Sequence, residues 1–288
     1  MSGLDTLIEG VLLGGVYALF ALGLSLIFGI MRLVNLAHGD LILLAAYLVL
    51  SATTALGVPL VASTLLVVVV MFVLGFLLQR LVLERVLGDD ILPPLLVTFG
   101  LSIVIQNGLL LTYGADSRRI QASAFESMSI AIAPGVSVGL APLLALLTAI
   151  VAVALMQLIF YQTSLGRAFR ATADNPQIAQ LMGIDERSVY AIAVGLSLAV
   201  SVVAAITFGI RANFDPSIGP ARLLYAFEAV IIGGMGSLWG TLAGGIVLGL
   251  AQAIGARINP EWQILAGHLA FLAVLMVRPR GLFPSGRP

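Results

Sequence analysis

Gly10-Val-Leu-Leu-Gly-Gly-Val-Tyr-Ala-Leu-Phe-Ala-Leu-Gly-Leu-Ser-Leu-Ile-Phe-Gly-Ile-Met31 contains no charged residue. A bilayer hydrocarbon core of about 30 Å is crossed by roughly 20 apolar residues in helical form. This stretch therefore decides the class of fold: it is long and apolar enough to cross a bilayer as a helix. The same pattern recurs outward from it. Residues 41–79 carry no charge and are divided at Pro59, and 92–113, 135–163 and 189–210 are further uncharged runs. Of the 288 residues 60% are hydrophobic and 10% charged, and the mean hydropathy is +1.11. Soluble domains carry roughly 25% charged residues, and one soluble core of this size cannot hide so much apolar surface.

The expected fold is all-α, a polytopic transmembrane helix bundle of eight or nine spans that makes residues 1–288 a single transmembrane domain. The spans are expected near 10–31, 38–57, 59–79, 93–113, 141–161, 190–210, 223–237, 239–256 and 261–277. The last three are blurred by glycines over 233–249 and by Pro260. Loop 162–189 holds Arg167, Arg170 and Arg187, which makes it cytoplasmic by the positive-inside rule. Alternation then brings Arg32, Arg80 and Arg85 to that side, and nine spans add Arg278, Arg280 and Arg287. Arg118, Arg119, Arg211, Arg222 and Arg257 fall outside, so the bias is nine to five. Eight spans would reverse it, so nine are preferred, with the N-terminus outside. No basic region precedes the first span, so no cleavable leader is expected. In the outer loop 114–140, residues 127–138 alternate, with Pro134-Gly135 midway. This reads as a small hairpin or as an irregular loop.

Several function classes are excluded. There is no cysteine, hence no disulfide and no thiol nucleophile, and the net charge of zero gives no basic surface for nucleic acid. All 14 basic residues are arginine. A P-loop needs its lysine to reach the β- and γ-phosphates, so the chain is no standard ATPase. His38 and His268 alone make a poor metal site. No Ser-His-Asp, H-E-x-x-H or G-x-S-x-G arrangement occurs, so neither enzyme activity nor a cofactor is expected.

Within 163–185, Asn175 is an N-cap residue type, Pro176 suits the first helical position and Gly183 suits the helix stop. Ile178, Leu181 and Met182 share one face of the short helix between them. So short a helix is unstable alone and needs a surface over that face: a partner protein, lipid headgroups or its own bundle. Asn35, His38 and Asp40 are polar groups between two apolar spans. Such groups at membrane depth are costly and line cavities. Asp40 would cap the next helix, with Gly39 allowing the turn, and a free helix N-terminus there would suit a carboxylate. An ordinary capped turn at the membrane surface is the other reading. Gly236, Gly240 and Gly244 are spaced to form a flat packing ridge, and Gly245 and Gly249 form a second. Gln106, Asn107, Glu228, Gln252 and His268 fall inside spans. Glu228 is the costliest and is expected to face the interior, paired or protonated, and His268 to bond between helices. Gly23-Leu-Ser-Leu26 recurs as Gly195-Leu-Ser-Leu198 on a span of opposite direction. With residues this common, we read that echo as coincidence.

One known family combines these features. The chain resembles the membrane subunits of bacterial branched-chain amino acid ABC importers over nearly its whole length. The resemblance rests on Tyr17-Ala18-Leu19 with Gly23, on Asn35-Leu-Ala-His-Gly39, on Gly166-Arg-Ala-Phe-Arg-Ala171 with Leu181-Met-Gly-Ile184, and on Gly233-Gly-Met-Gly-Ser237 with Gly240. It implies a multi-pass protein of the bacterial inner membrane, embedded in membrane lipid. It implies a homologous second permease subunit, two ATP-binding-cassette ATPase subunits and a periplasmic substrate-binding protein as partners. It makes Gly166, Arg167, Arg170, Ile178, Leu181, Met182 and Gly183 the segment that couples to the ATPase. It puts Asn35, His38 and Asp40 near the translocation path, and polarity at membrane depth makes Glu228 a further candidate for that path. Relatives that carry urea or short-chain amides fit the same residues. An ion-coupled secondary transporter would have only Glu228 and His268 for a relay, and a channel would need a polar filter that is not seen.

Overall fold

The computed structural model of the protein describes residues 3–88, 90–122, 128–133 and 136–283. Ser127, Pro134-Gly135 and Arg287 lie outside the described residues. In chain order the elements are α1 (Gly3–Met31), α2 (His38–Thr54), α3 (Leu60–Leu81), α4 (Leu92–Tyr113), β1 (Ser129–Ala133) and β2 (Val136–Gly139). There follow α5 (Leu140–Gln162), α6 (Ser164–Asp174), α7 (Pro176–Leu181), α8 (Glu186–Arg211), α9 (Gly219–Gly233), α10 (Leu238–Ile258) and α11 (Trp262–Val277). Among the described residues six helices, α1, α3, α4, α5, α8 and α10, are long and apolar enough to cross a membrane. Helices α2 and α11 are shorter and also apolar. The two strands pair antiparallel, with Ser129 opposite Gly139.

The bundle is built around α1, whose inner two-thirds is buried. α10 lies against it where glycines remove the side chains between the two backbones. A Cβ added at Gly14 would stand 2.7 Å from the Gly245 carbonyl, and one at Gly249 would collide with the Gly10 carbonyl. This is the small-residue contact that helices use in lipid, where packing must replace a hydrophobic drive. Outer helices α3, α4, α5 and α11 leave large apolar side chains exposed, among them Val61, Leu111, Leu155 and Met276. Such a surface suits a hydrocarbon solvent.

The four helices before β1 and the four after α7 repeat one pattern: a long helix, an extended stretch, a short helix and two more helices. Long helices α1 and α8 run antiparallel, with Phe20 5.6 Å from Phe208 and the Ser197 hydroxyl donating to the Gly23 carbonyl at 2.7 Å. Each packs chiefly on the third helix of the other half, α1 on α10 and α8 on α3. Gly195 meets α3 at Gly75 as Gly14 meets α10. The architecture is thus an inverted repeat, which the coincidence reading of the tetrapeptide echo did not anticipate. The echo itself is out of register, because Gly195 corresponds to Gly14 and not to Gly23.

The extended stretches are the feature that positions the site. His38 at the start of α2 donates Nε2–H to the carbonyl of Phe20 at 3.0 Å, about three turns before α1 ends at Met31. Residues 32–37 therefore double back along α1, and α2 begins at mid-height. In the other half 212–218 lead to α9, which begins at Gly219 against Gly39 and Asp40. The two short helices start side by side in the middle of the bundle and run apart. The span expected over 223–237 is displaced accordingly. It starts at Gly219 and stops at Gly233, because Gly234 and Gly236 take φ of 103° and 80°, a region open to glycine and closed to helix.

Candidate functional site

The centre of the site is the pair of helix starts. Asn35 Oδ1 accepts from the Ala37 backbone N–H at 3.0 Å, which turns the chain into α2. Asn35 Nδ2 and His38 Nδ1 are buried with no hydrogen-bond partner. Since the Phe20 carbonyl only accepts, Nε2 carries the imidazole proton and Nδ1 is a bare acceptor. Asp40 is not the cap expected of it. The helix has already begun at His38, and the Asp40 carboxylate instead accepts from Ser102 of α4 at 2.5 Å, with Gln106 behind donating to Ser102 at 3.1 Å. Gly39 likewise makes no turn; it lies inside the helix, where a Cβ would strike the Gly219 carbonyl. Asn35, His38 and Asp40 thus form one buried polar knot at mid-height, joining α1, α2, α4 and α9.

Glu228 stands apart from the knot, further along α9. It is buried and hydrogen-bonded to His268 Nδ1 of α11. Tyr225, one turn before it, stacks on His268 and lies 5.0 Å from Tyr17, whose hydroxyl donates to Gln252 at 2.5 Å. The Arg222 guanidinium lies 4.4 Å over Phe208. A second polar belt therefore ties α9 to α1, α10 and α11. A smaller pocket of about 180 Å³ is lined by Gln106 and Asn107 of α4 with Asp215, Pro216 and Ser217 of the extended stretch. Among the described residues, Asn35, His38, Asp40 and Glu228 line neither this pocket nor a larger cavity at the α6–α7 end of the bundle.

At the end of the bundle shared by the loops after α3, α5 and α9, the segment after α5 forms two helices. Thr163 Oγ1 accepts from Gly166 N at 3.0 Å and starts α6, a helix the sequence reading left out. Gly166 is where α6 folds onto the end of α5: a Cβ there would run into the carbonyls of Ile159 and Phe160. Asn175 Oδ1 caps α7 by accepting from Ile178 N at 3.0 Å. The helix closes with Ile184 N donating to Ala179 O at 3.0 Å across Gly183, whose φ is 83°. Ala179 points inward and is buried, whereas Ile178, Leu181 and Met182 are 59%, 86% and 77% exposed. Arg167 is exposed, and the Arg170 guanidinium lies 5.1 Å over the Tyr161 ring. Asp185 caps α8, accepting from Arg187 N and Ser188 Oγ. The Ser188 bond holds its carboxyl below the usual carboxylate range. Arg187 pairs with Glu84 at 2.9 Å.

The predicted glycine ridge divides. Gly240 and Gly244 press on α9, where a Cβ would meet the Gly233 and Ala229 carbonyls respectively, and Ser237 caps α10 by accepting from Gly240 N. Gly236 precedes the helix. It lies in the turn between α9 and α10, opposite Gly29 of α1.

The chain and its architecture have counterparts among known proteins. The family described as "Branched-chain amino acid transport system / permease component" matches residues 6–277. The chain belongs to this family. Among the family's permeases, the high-affinity branched-chain amino acid transport system permease protein BraD of Pseudomonas aeruginosa is 29% identical, over 99% of this chain and 96% of its own. The corresponding permease protein LivH of Escherichia coli is also 29% identical, over the same shares. A solved structure, PsaBC from Streptococcus pneumoniae in complex with Fab, shares the fold with a TM-score of 0.52 at 12% identity, covering 96% of this chain and 92% of that one. This permease is thus a multi-pass membrane protein. Two of its side-chain contacts had no expectation in the sequence. The Ser102–Asp40 bond joins residues far apart in the chain, though Ser102 and Gln106 at i, i+4 did mark one polar stripe on an apolar helix. The link from Tyr17 to Gln252 left no local sign.

Proposed function

We propose that this chain is the membrane-spanning permease subunit of an ATP-binding-cassette importer, carrying branched-chain amino acids across the bacterial inner membrane on ATP hydrolysed by separate subunits. The observation that carries the reading is α7. It is a capped helix of 6 residues whose only large apolar side chains are uncovered, and helices this short do not persist without a partner. In this reading α6 and α7 are cytoplasmic and dock on the ATPase through Ile178, Leu181 and Met182. Gly166 and Gly183 fix the geometry, and Arg167 and Arg170 lie beside the contact.

The reading gives nine crossings and makes residues 1–288 a single transmembrane permease domain with the coupling loop at 162–189. Seven crossings are continuous helices, and two are broken, where 32–37 and 212–218 lead into α2 and α9. Broken crossings with helix N-termini at mid-height are how transporters build a substrate site inside a membrane. Asn35, His38 and Asp40 hold that break, and Glu228 ties the second short helix to α11. Polar side chains at membrane depth do not face lipid. The face bearing Asn107, Asp215 and Ser217 is therefore assigned to a homologous second permease subunit, with the path between the two. Two ATPases and a periplasmic binding protein complete the importer.

The test is substrate competition in vesicles holding the assembled importer. Leucine uptake should be suppressed by isoleucine and valine and left intact by urea and acetamide. Suppression by urea or acetamide, with none by the branched-chain amino acids, would overturn the assignment of substrate.

A further inference from the structure

A cavity of about 780 Å³ opens at the α6–α7 end of the bundle, and its described lining holds three arginines and no acidic residue. Each arginine comes from a different part of the chain. Arg32 follows α1 with φ of 53°, the left-handed region that strains a residue with a Cβ. Arg170 stands on α6, with its Nη1 buried and unpartnered. Arg280 is carried by the tail after α11, which is pinned beneath α9 by Leu282 N donating to Ile232 O at 2.8 Å and Phe283 N to Gly233 O at 3.0 Å. None of the three forms an ion pair among the described residues. Ser25, 1% exposed, lines the same cavity with its hydroxyl unpartnered. Three like charges around a partly enclosed space, with no ion-pair partner among the described residues and a buried hydroxyl beside them, suit an anion.

The mouth of the cavity says which anion. Tyr161 and Trp239 line it and are 63% and 47% exposed. Such aromatic rings sit at the level where lipid headgroups meet acyl chains. Basic pockets between transmembrane helices at that level attract anionic headgroups. We propose that this cavity is a binding site for an anionic phospholipid, its phosphate held among Arg32, Arg170 and Arg280 and its acyl chains leaving past Tyr161 and Trp239. A phosphate so held joins the end of α1 and the tail to α6, and so steadies the base from which α7 projects. Only the choice of the cytoplasmic leaflet rests on the orientation proposed above. The site itself does not.

The experiment uses the purified chain in nanodiscs of phosphatidylcholine with increasing phosphatidylglycerol, read by native mass spectrometry. Phosphatidylglycerol should be retained in preference to phosphatidylcholine. Arg32→Gln, Arg170→Gln and Arg280→Gln should each weaken retention about fivefold, and the triple variant should abolish the preference. A photo-crosslinking phosphatidylglycerol should label the wild-type peptides holding Tyr161 and Trp239, which decides the matter even where the triple variant misfolds. Equal retention by wild type and a folded triple variant, or labelling confined to other helices, would overturn the proposal. So would inorganic phosphate that binds the lipid-free chain at millimolar concentration and fully displaces the lipid, since the site would then be one for soluble anions. Substrate competition in vesicles is read separately, so failure here is distinguishable from failure of the transport assignment.

Discussion

Leu181→Asp isolates the docking role of α7. Leu181 is 86% exposed and touches little of its own chain, so its replacement should change the stability of the isolated permease by no more than about 0.5 kcal/mol. If an ATPase covers it, the lost burial of a leucine side chain is about 1.5–3 kcal/mol. At 1.4 kcal/mol per decade that is roughly tenfold to a hundredfold in affinity, and the desolvation of the new carboxylate adds to it. The assay is titration of the purified ATPase against the permease in nanodiscs, with ATP hydrolysis followed in parallel. Membrane insertion and thermal stability should match wild type, while ATPase affinity falls at least tenfold and substrate-stimulated hydrolysis falls with it. Wild-type affinity and coupling in a folded Leu181→Asp permease would mean that α7 rests on lipid, and the coupling assignment would be wrong.

Other perturbations test other parts of the account. Gly14→Leu drives a side chain into the α10 backbone and should cost 1–3 kcal/mol or more, measured as detergent-solubilised stability, whereas Gly108→Ala, with nothing within 4 Å of the new methyl, should be neutral. Single substitutions of Asn35, His38 and Glu228 should lower uptake at unchanged membrane levels, and unchanged uptake in all three would reduce them to structural hydrogen bonders. Glu228→Gln and His268→Gln should couple in a double-mutant cycle by about 1 kcal/mol or more in stability. A coupling near zero would mean that the bond between them contributes nothing to holding α9 on α11.

The long crossings were legible because an uncharged run of membrane length has one physical solution. The expected 93–113 and 141–161 differ from α4 and α5 by a residue at each end or less. The caps of α7 were legible because Asn175, Pro176 and Gly183 each act on their own backbone. The broken crossings were not. The ends at 31 and 38 were legible, but nothing local in Leu33, Val34 and Leu36 distinguishes a turn at the membrane surface from a stretch that doubles back along α1 to mid-height. The role of Asp40 was misread for a related reason: its partner Ser102 is supplied by a distant helix, whereas a cap is a local rule. Helix α6 was missed because its start rests on one Thr163 hydroxyl and its seat on the bare backbone of Gly166. The anion-binding character proposed for the cavity at the α6–α7 end rests on three arginines that sequence distance separates completely.

The central claim is transport driven by ATP hydrolysed on separate subunits. Its most direct test is accumulation of labelled leucine by vesicles containing the permease, its ATPases and the binding protein. The account predicts accumulation that requires ATP and the ATPases, persists when ionophores abolish all ion gradients, and disappears when the permease is omitted. Accumulation by the permease alone, driven by a proton or sodium gradient without ATP, would contradict it.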